Sequence, residues 1–126
     1  MFRSNRVIFA AALMAVLSSC EPRGTDLASM YQPVDEIPNP VTFSWLKSRV
    51  FDPVCSQCHH HDGLFTSEAA LLSATAGGEH YVVPGNAAAS LVYQRMTDSL
   101  DPMPPDGMLE ARYSEAVRQY IESLAP

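Results

Sequence analysis

The stretch Cys55-Ser56-Gln57-Cys58-His59 decides how the rest of the chain is read. Two thiols separated by two residues sit one helical turn apart on one side of a helix, and the imidazole that follows falls beneath whatever they hold. Three chemistries use such a cluster. A redox dithiol needs a surrounding βαβ pattern, which the flanking sequence lacks. A structural zinc site built from Cys55, Cys58 and two histidines has suitable ligand types, but the chain has no second Cys-x-x-Cys. Covalent attachment of one c-type haem uses all three side chains, Cys55 and Cys58 as thioethers to the vinyl groups and His59 as proximal iron ligand. The pentad favours the last, and with it a protein whose work is to hold, tune and present an iron porphyrin.

A six-coordinate iron takes a further ligand on its distal face. Met103 stands in Leu100-Asp101-Pro102-Met103-Pro104-Pro105-Asp106-Gly107, where a proline on each side blocks helix and stiffens the backbone. A thioether is a soft donor that favours the reduced metal, so a Met/His pair raises the reduction potential. Three other side chains compete for the position. Met96 shares a helical face with Leu91 and Val92, which suits core packing. Met108, beside Leu109 ahead of the last helix, suits a hydrophobic staple. His80 lies in a loop that can reach the metal, and bis-histidine ligation would lower the potential. His60 and His61 follow His59 directly and cannot reach the far face, so solvent exposure is expected for both.

The N-terminus carries a separate signal. Arg3 and Arg6 precede an unbroken apolar run of 11 residues, Val7 to Leu17. A bilayer crossing needs about 20, so residues 1–19 read as an export signal and not as a membrane span. Leu17-Ser18-Ser19-Cys20 resembles a bacterial lipobox, which implies cleavage before Cys20 and acylation of its thiol; the alternative is plain secretion with cleavage nearby. By the same resemblance, Glu21 next to Cys20 implies sorting to an outer membrane. The cysteine count agrees. Of three cysteines, lipidation uses Cys20 and haem uses Cys55 and Cys58, leaving none over. Haem attachment takes place outside the cytoplasmic membrane, where the signal delivers the chain.

The formal charge is −6, and loss of Arg3 and Arg6 with the signal makes it −8. A nucleic-acid partner demands a basic face and is disfavoured. An acidic carrier is instead steered toward a basic patch on a protein partner. Residues 20–40 contain Pro22, Pro33, Pro38 and Pro40 without apolar periodicity and read as a lipid-anchored flexible tether, unless Met30 to Pro40 wraps onto the domain. The domain spans residues 41–126. Thr42 caps a helix with Phe43, Leu46 and Val50 on one face, and Asp52-Pro53 restarts the chain into the haem segment. Thr66 or Ser67 opens a helix that ends near Ala76-Gly77-Gly78. Asn86 caps a helix from Ala87 to about Met96, and Tyr113, Val117, Tyr120, Ile121 and Leu124 form one stripe on the last. No strand is expected. The fold class is all-α, a small helical domain wrapped around one covalent haem.

The combination of Cys55-x-x-Cys58-His59, Val83-Pro84-Gly85-Asn86, Ser90-Leu91-Val92-Tyr93, Met103-Pro104-Pro105-Asp106-Gly107 and a terminal amphipathic helix resembles the small monohaem class I-like cytochromes c of bacteria, over roughly residues 42–124. The resemblance implies Met103 as distal ligand and single-electron transfer as function. It departs at Tyr120, where the family commonly has tryptophan. By loose analogy Val83-Pro84 supplies a carbonyl to the second ring nitrogen of His59. Arg95, Tyr81 and Trp45 are candidates to bond the haem propionates. The expected protein is an exported, lipid-anchored carrier serving membrane-associated redox partners, and not an enzyme. The alternative is a haem-based binder or sensor of small ligands in which the distal methionine is displaced.

Overall fold

The computed structural model describes residues 36–126. The expected signal segment 1–19, Cys20 and residues 21–35 of the expected tether lie outside the described residues. Ile37, near the end of that tether, packs against the core, and Val41 is buried within it.

Thr42 opens the first helix in an extended conformation, its hydroxyl accepting the Trp45 N–H at 3.2 Å. The sequence predicts a stop and restart at Asp52-Pro53, and the structure corrects this. Phe43–Leu46 is α-helical, Lys47–Cys55 widens into π turns, and Ser56–His59 returns to α, giving one continuous helix, α1, over residues 43–59. In an ordinary α turn a proline ring meets the carbonyl four residues back. The wider path, in which the Ser56 N–H donates to the Phe51 carbonyl, gives that ring room and carries the helix through Pro53. Leu46, Val50, Phe51 and Val54 face inward along it.

Ser67 caps α2 (Glu68–Ser73), its hydroxyl accepting the Ala70 N–H at 3.1 Å. Beyond it the chain makes a two-residue antiparallel hairpin, β1 (Thr75–Ala76) against β2 (Glu79–His80), where no strand was expected. Gly77 and Gly78 make this turn, with φ of +60° and +89°. Two consecutive left-handed residues are what a tight hairpin turn requires, and glycine adopts them without strain. The Tyr81 N–H then donates to the Ala74 carbonyl and the Val92 N–H to the Tyr81 carbonyl, which ties the hairpin to the helix that begins at Leu91.

Asn86 is a cap, as expected, but for one 3₁₀ turn, Ala87–Ala89. The chain straightens at Ser90 before α3 (Leu91–Thr97). Gly85, at φ +75°, turns the chain beneath the last helix, where its N–H donates to the Ile121 carbonyl at 2.9 Å. That helix, α4 (Ala111–Ser123), buries Tyr113, Ala116, Val117, Tyr120 and Ile121 on one stripe. The start of α1 meets α4 through Phe43 and Tyr120, ring centroids 6.5 Å apart. Phe43 continues to Phe51 at 5.9 Å, and Phe51 stacks on Phe65 at 4.7 Å. This aromatic row runs from α4 to the segment behind His59, so the core and the site share one wall.

Candidate haem-binding site

A cavity of ≈ 260 Å³ opens between the C-terminal end of α1, the hairpin, α3 and the loop before α4. Cys55, Cys58 and His59 line it, and so does Met103. The ligand set read from two distant parts of the sequence therefore borders a single hollow. Most of the remaining lining is apolar: Val54, Leu64, Phe65, Leu91, Val92, Met96 and Leu109, with Pro104 and Pro105. Thiols, an imidazole and a thioether around an apolar cleft are the donor set and setting that fit a covalent haem.

The two cysteines are free thiols on the last turns of α1. Burial, reinforced by the neighbouring Cys58, pushes the Cys55 thiol up to about 12 against a smaller opposing backbone hydrogen bond. Dithiol exchange needs the reverse, a thiol pulled down toward neutral pH. Among the described residues no group of three or more His, Cys, Asp and Glu is placed to hold a metal ion, so the zinc alternative has no geometric basis.

His59 differs from expectation in its second ring nitrogen. Its Nδ1 lies 2.7 Å from Asp62 Oδ2, a carboxylate three residues on, and not against the Val83-Pro84 carbonyls. The Val83 carbonyl instead accepts the Asn86 N–H, and Ser90 Oγ accepts the Val83 N–H at 2.8 Å. Phe65 meets the imidazole edge-on, at 5.7 Å and 81°. Nε2 is the ring nitrogen left for a metal. His60 and His61 are both exposed, as expected, His60 with its Nδ1 at 3.1 Å from the Gln57 carbonyl and its ring against that of His61.

Met103 is fixed through its backbone. Its N–H donates to the Arg95 carbonyl in the last turn of α3 at 2.8 Å. Asp98 Oδ1 accepts the N–H groups of Leu100 and Asp101, and Arg95 pairs with Asp101 across the same loop. The proline frame is thus supplemented by a clamp to α3 that the sequence reading missed, although Asp98 at the helix end was a legible turn former. Met103 is 41 % exposed.

The competing positions fall as follows. Met96 is buried in the core, as expected, and also borders the cavity. Met108 is exposed and no staple forms. The N-cap of α4 is Glu110, so the pairing positions are Leu109 and Ser114, and a serine offers no apolar partner. His80 is exposed on β2 and does not line the cavity. Of the three propionate candidates, Tyr81 and Arg95 line it and Trp45 does not; Trp45 packs against the core on α1.

No curated protein and no solved structure matches the chain. A family described as Planctomycete cytochrome C matches residues 55–107, from the first thiol to the glycine that closes the methionine loop. That match supports a cytochrome c-like domain here, a small helical fold whose family implies covalently bound haem c.

Proposed function

We propose that this chain is an exported monohaem c-type cytochrome that carries single electrons between membrane-associated redox partners. The observation that carries this reading is the shared cavity of Cys55, Cys58, His59 and Met103. In it, Cys55 and Cys58 fix the haem by thioethers, His59 ligates through Nε2 and Met103 through its sulfur. Bound there, the haem supplies a one-electron iron couple. The chain's own part is to hold both ligands in place in either oxidation state, so little has to reorganise. Leu64, Phe65, Val92 and Met96, which line the cavity, would keep water from the cofactor, and the thioether would bias the couple toward the reduced form. With His59 and Met103 both holding the metal, the site would offer no position to oxygen or peroxide, which suits a carrier and not an enzyme.

Further parts of the proposal concern the rest of the chain. Residues 1–19 direct export, Cys20 carries the lipid, and the tether holds the domain at the periplasmic face of a membrane, the outer one by the Glu21 criterion. A tethered carrier is locally concentrated for its partners. The acidic balance of the chain complements a basic docking patch on those partners and repels nucleic acid.

A haem stain after denaturing electrophoresis, with a visible spectrum taken beforehand, tests the core of this. Colour that survives denaturation and disappears in Cys55→Ala/Cys58→Ala is expected. A colourless product from a host equipped for cytochrome maturation overturns it. The methionine–iron charge-transfer band of the oxidised protein should vanish in Met103→Ala.

The exposure of Met103 favours one second reading, in which that ligand dissociates and a small molecule binds. Carbon monoxide separates the two. A reduced protein whose spectrum is unmoved at neutral pH is a carrier; a rapid change identifies a sensor.

A further inference from the structure

Behind His59 stands a fixed carboxylate. Asp62 Oδ2 lies 2.7 Å from Nδ1, while Asp62 Oδ1 accepts the Leu64 N–H at 2.9 Å, so each oxygen has its own partner. The edge-on contact with Phe65 limits rotation of the imidazole about this bond. A neutral imidazole that donates Nδ1–H to a carboxylate presents the Nε2 lone pair outward, and the negative charge behind the ring strengthens that lone pair. A backbone carbonyl in the same place would fix the same tautomer with less charge behind it.

We infer that Asp62 is a positioning residue for the proximal ligand: it sets the His59 tautomer and, by enriching the imidazole, lowers the reduction potential against the upward pull of Met103. The inference rests on His59 being the proximal ligand. Its plain competitor is a local role, in which Asp62 serves only to close the turn to Leu64.

Two variants of the haem-loaded protein separate these. Asp62→Asn keeps an acceptor for the Leu64 N–H but removes the charge. Asp62→Ser keeps a shorter acceptor for the same turn and cannot reach the imidazole. Midpoint potentials are read by spectroelectrochemistry, each variant first shown to retain covalent haem and the methionine band. Both should shift the equilibrium about tenfold toward the reduced form, which is 59 mV for one electron. A haem-loaded variant pair with wild-type potentials overturns the role of Asp62 and leaves the cytochrome reading intact. A wild-type chain that takes up no haem removes both. The wild type also gives an answer without any variant. In the reduced, diamagnetic protein a proton–nitrogen correlation should show His59 Nδ1 protonated and its proton strongly downfield, as a carboxylate partner makes it. A Nδ1 proton at the shift of a solvent-bonded imidazole overturns the inference.

Discussion

Ser90 is completely buried, and its hydroxyl ties together the loop that leads from Val83 to α3. Oγ accepts the Val83 N–H at 2.8 Å and donates to the Asn86 carbonyl at 2.8 Å. Alanine in its place takes the partner from one donor, the Val83 N–H, and one acceptor, the Asn86 carbonyl, both in part-buried hydrogen bonds. The expected cost is about 1–3 kcal/mol, read from guanidinium unfolding of the haem-loaded protein. The loss should extend to the site, because Ser90 immediately precedes α3, which carries Val92 and Met96 to the cavity wall. Neither this hydroxyl nor Asp62 was singled out from sequence, for one physical reason. Their importance lies in which partners they reach, and a serine or aspartate in a loop carries no mark of that. Residues whose chemistry is rare in themselves, two thiols beside an imidazole and a methionine between prolines, were legible one by one.

At the level of elements, α4 was the most legible, since Tyr113, Val117, Tyr120 and Ile121 recur at the period of a helix and all four are buried. The caps Thr42, Ser67 and Asn86 were legible too, because a cap acts over three residues. The π widening of α1 was not, since proline ordinarily signals a break, and the wider turn that carries the helix through Pro53 has no mark in the residue pattern. The hairpin was hidden by its length: two residues a side leave no alternation to read, although Gly77-Gly78 carried the turn signal.

Two contacts on α4 give pH predictions. The Tyr120 hydroxyl donates to Glu68 Oε1 at 2.6 Å and ties α4 to the first turn of α2. Burial first, and the Glu68 carboxylate second, push the Tyr120 phenol above its usual value of 10.0. The folded chain holds that proton more tightly than the unfolded one. Its contribution is therefore complete below about pH 10 and is lost as pH rises beyond it. Tyr120→Phe should cost about 0.5–1.5 kcal/mol at neutral pH and flatten the alkaline limb of a stability profile. On the outer face Arg118 bridges Glu115 and Glu122, and the Arg118 hydrogen bonds hold the Glu115 carboxyl down at about 2. Here the folded value lies below the unfolded one, so the stabilisation is present above about pH 4.5 and fades as pH falls toward 2. The group is exposed, so the whole effect stays below about 1 kcal/mol and shrinks with salt. Glu115→Gln should remove this acid-side slope at low ionic strength and change little in 1 M salt.

At the scale of the whole molecule, the apolar cavity is a large feature of a small domain. A chain of this size buries a modest core, and many of its buried side chains, Val54, Leu64, Phe65, Val92 and Met96 among them, border the hollow and not one another alone. At about 24 cal/mol per Å³, leaving ≈ 260 Å³ unfilled costs up to about 6 kcal/mol. The cleft is open on one side and can partly collapse, so that figure is an upper bound, yet it approaches the full stability of an ordinary domain. The cofactor should therefore decide whether the fold is cooperative at all. Cys55→Ser/Cys58→Ser, made in a host without haem maturation, should keep much of its far-ultraviolet helix signal, lose its near-ultraviolet signal and bind a hydrophobic dye. Guanidinium should unfold it over a broad range, whereas the haem-loaded wild type should give one sharp transition. A haem-free chain that unfolds as sharply as the loaded protein, with near-ultraviolet bands intact, would show that α1 and α4 close the core without help. The aromatic row from Tyr120 through Phe43 and Phe51 to Phe65, with the buried Leu46, Val117 and Ile121, would then be core enough without the cofactor.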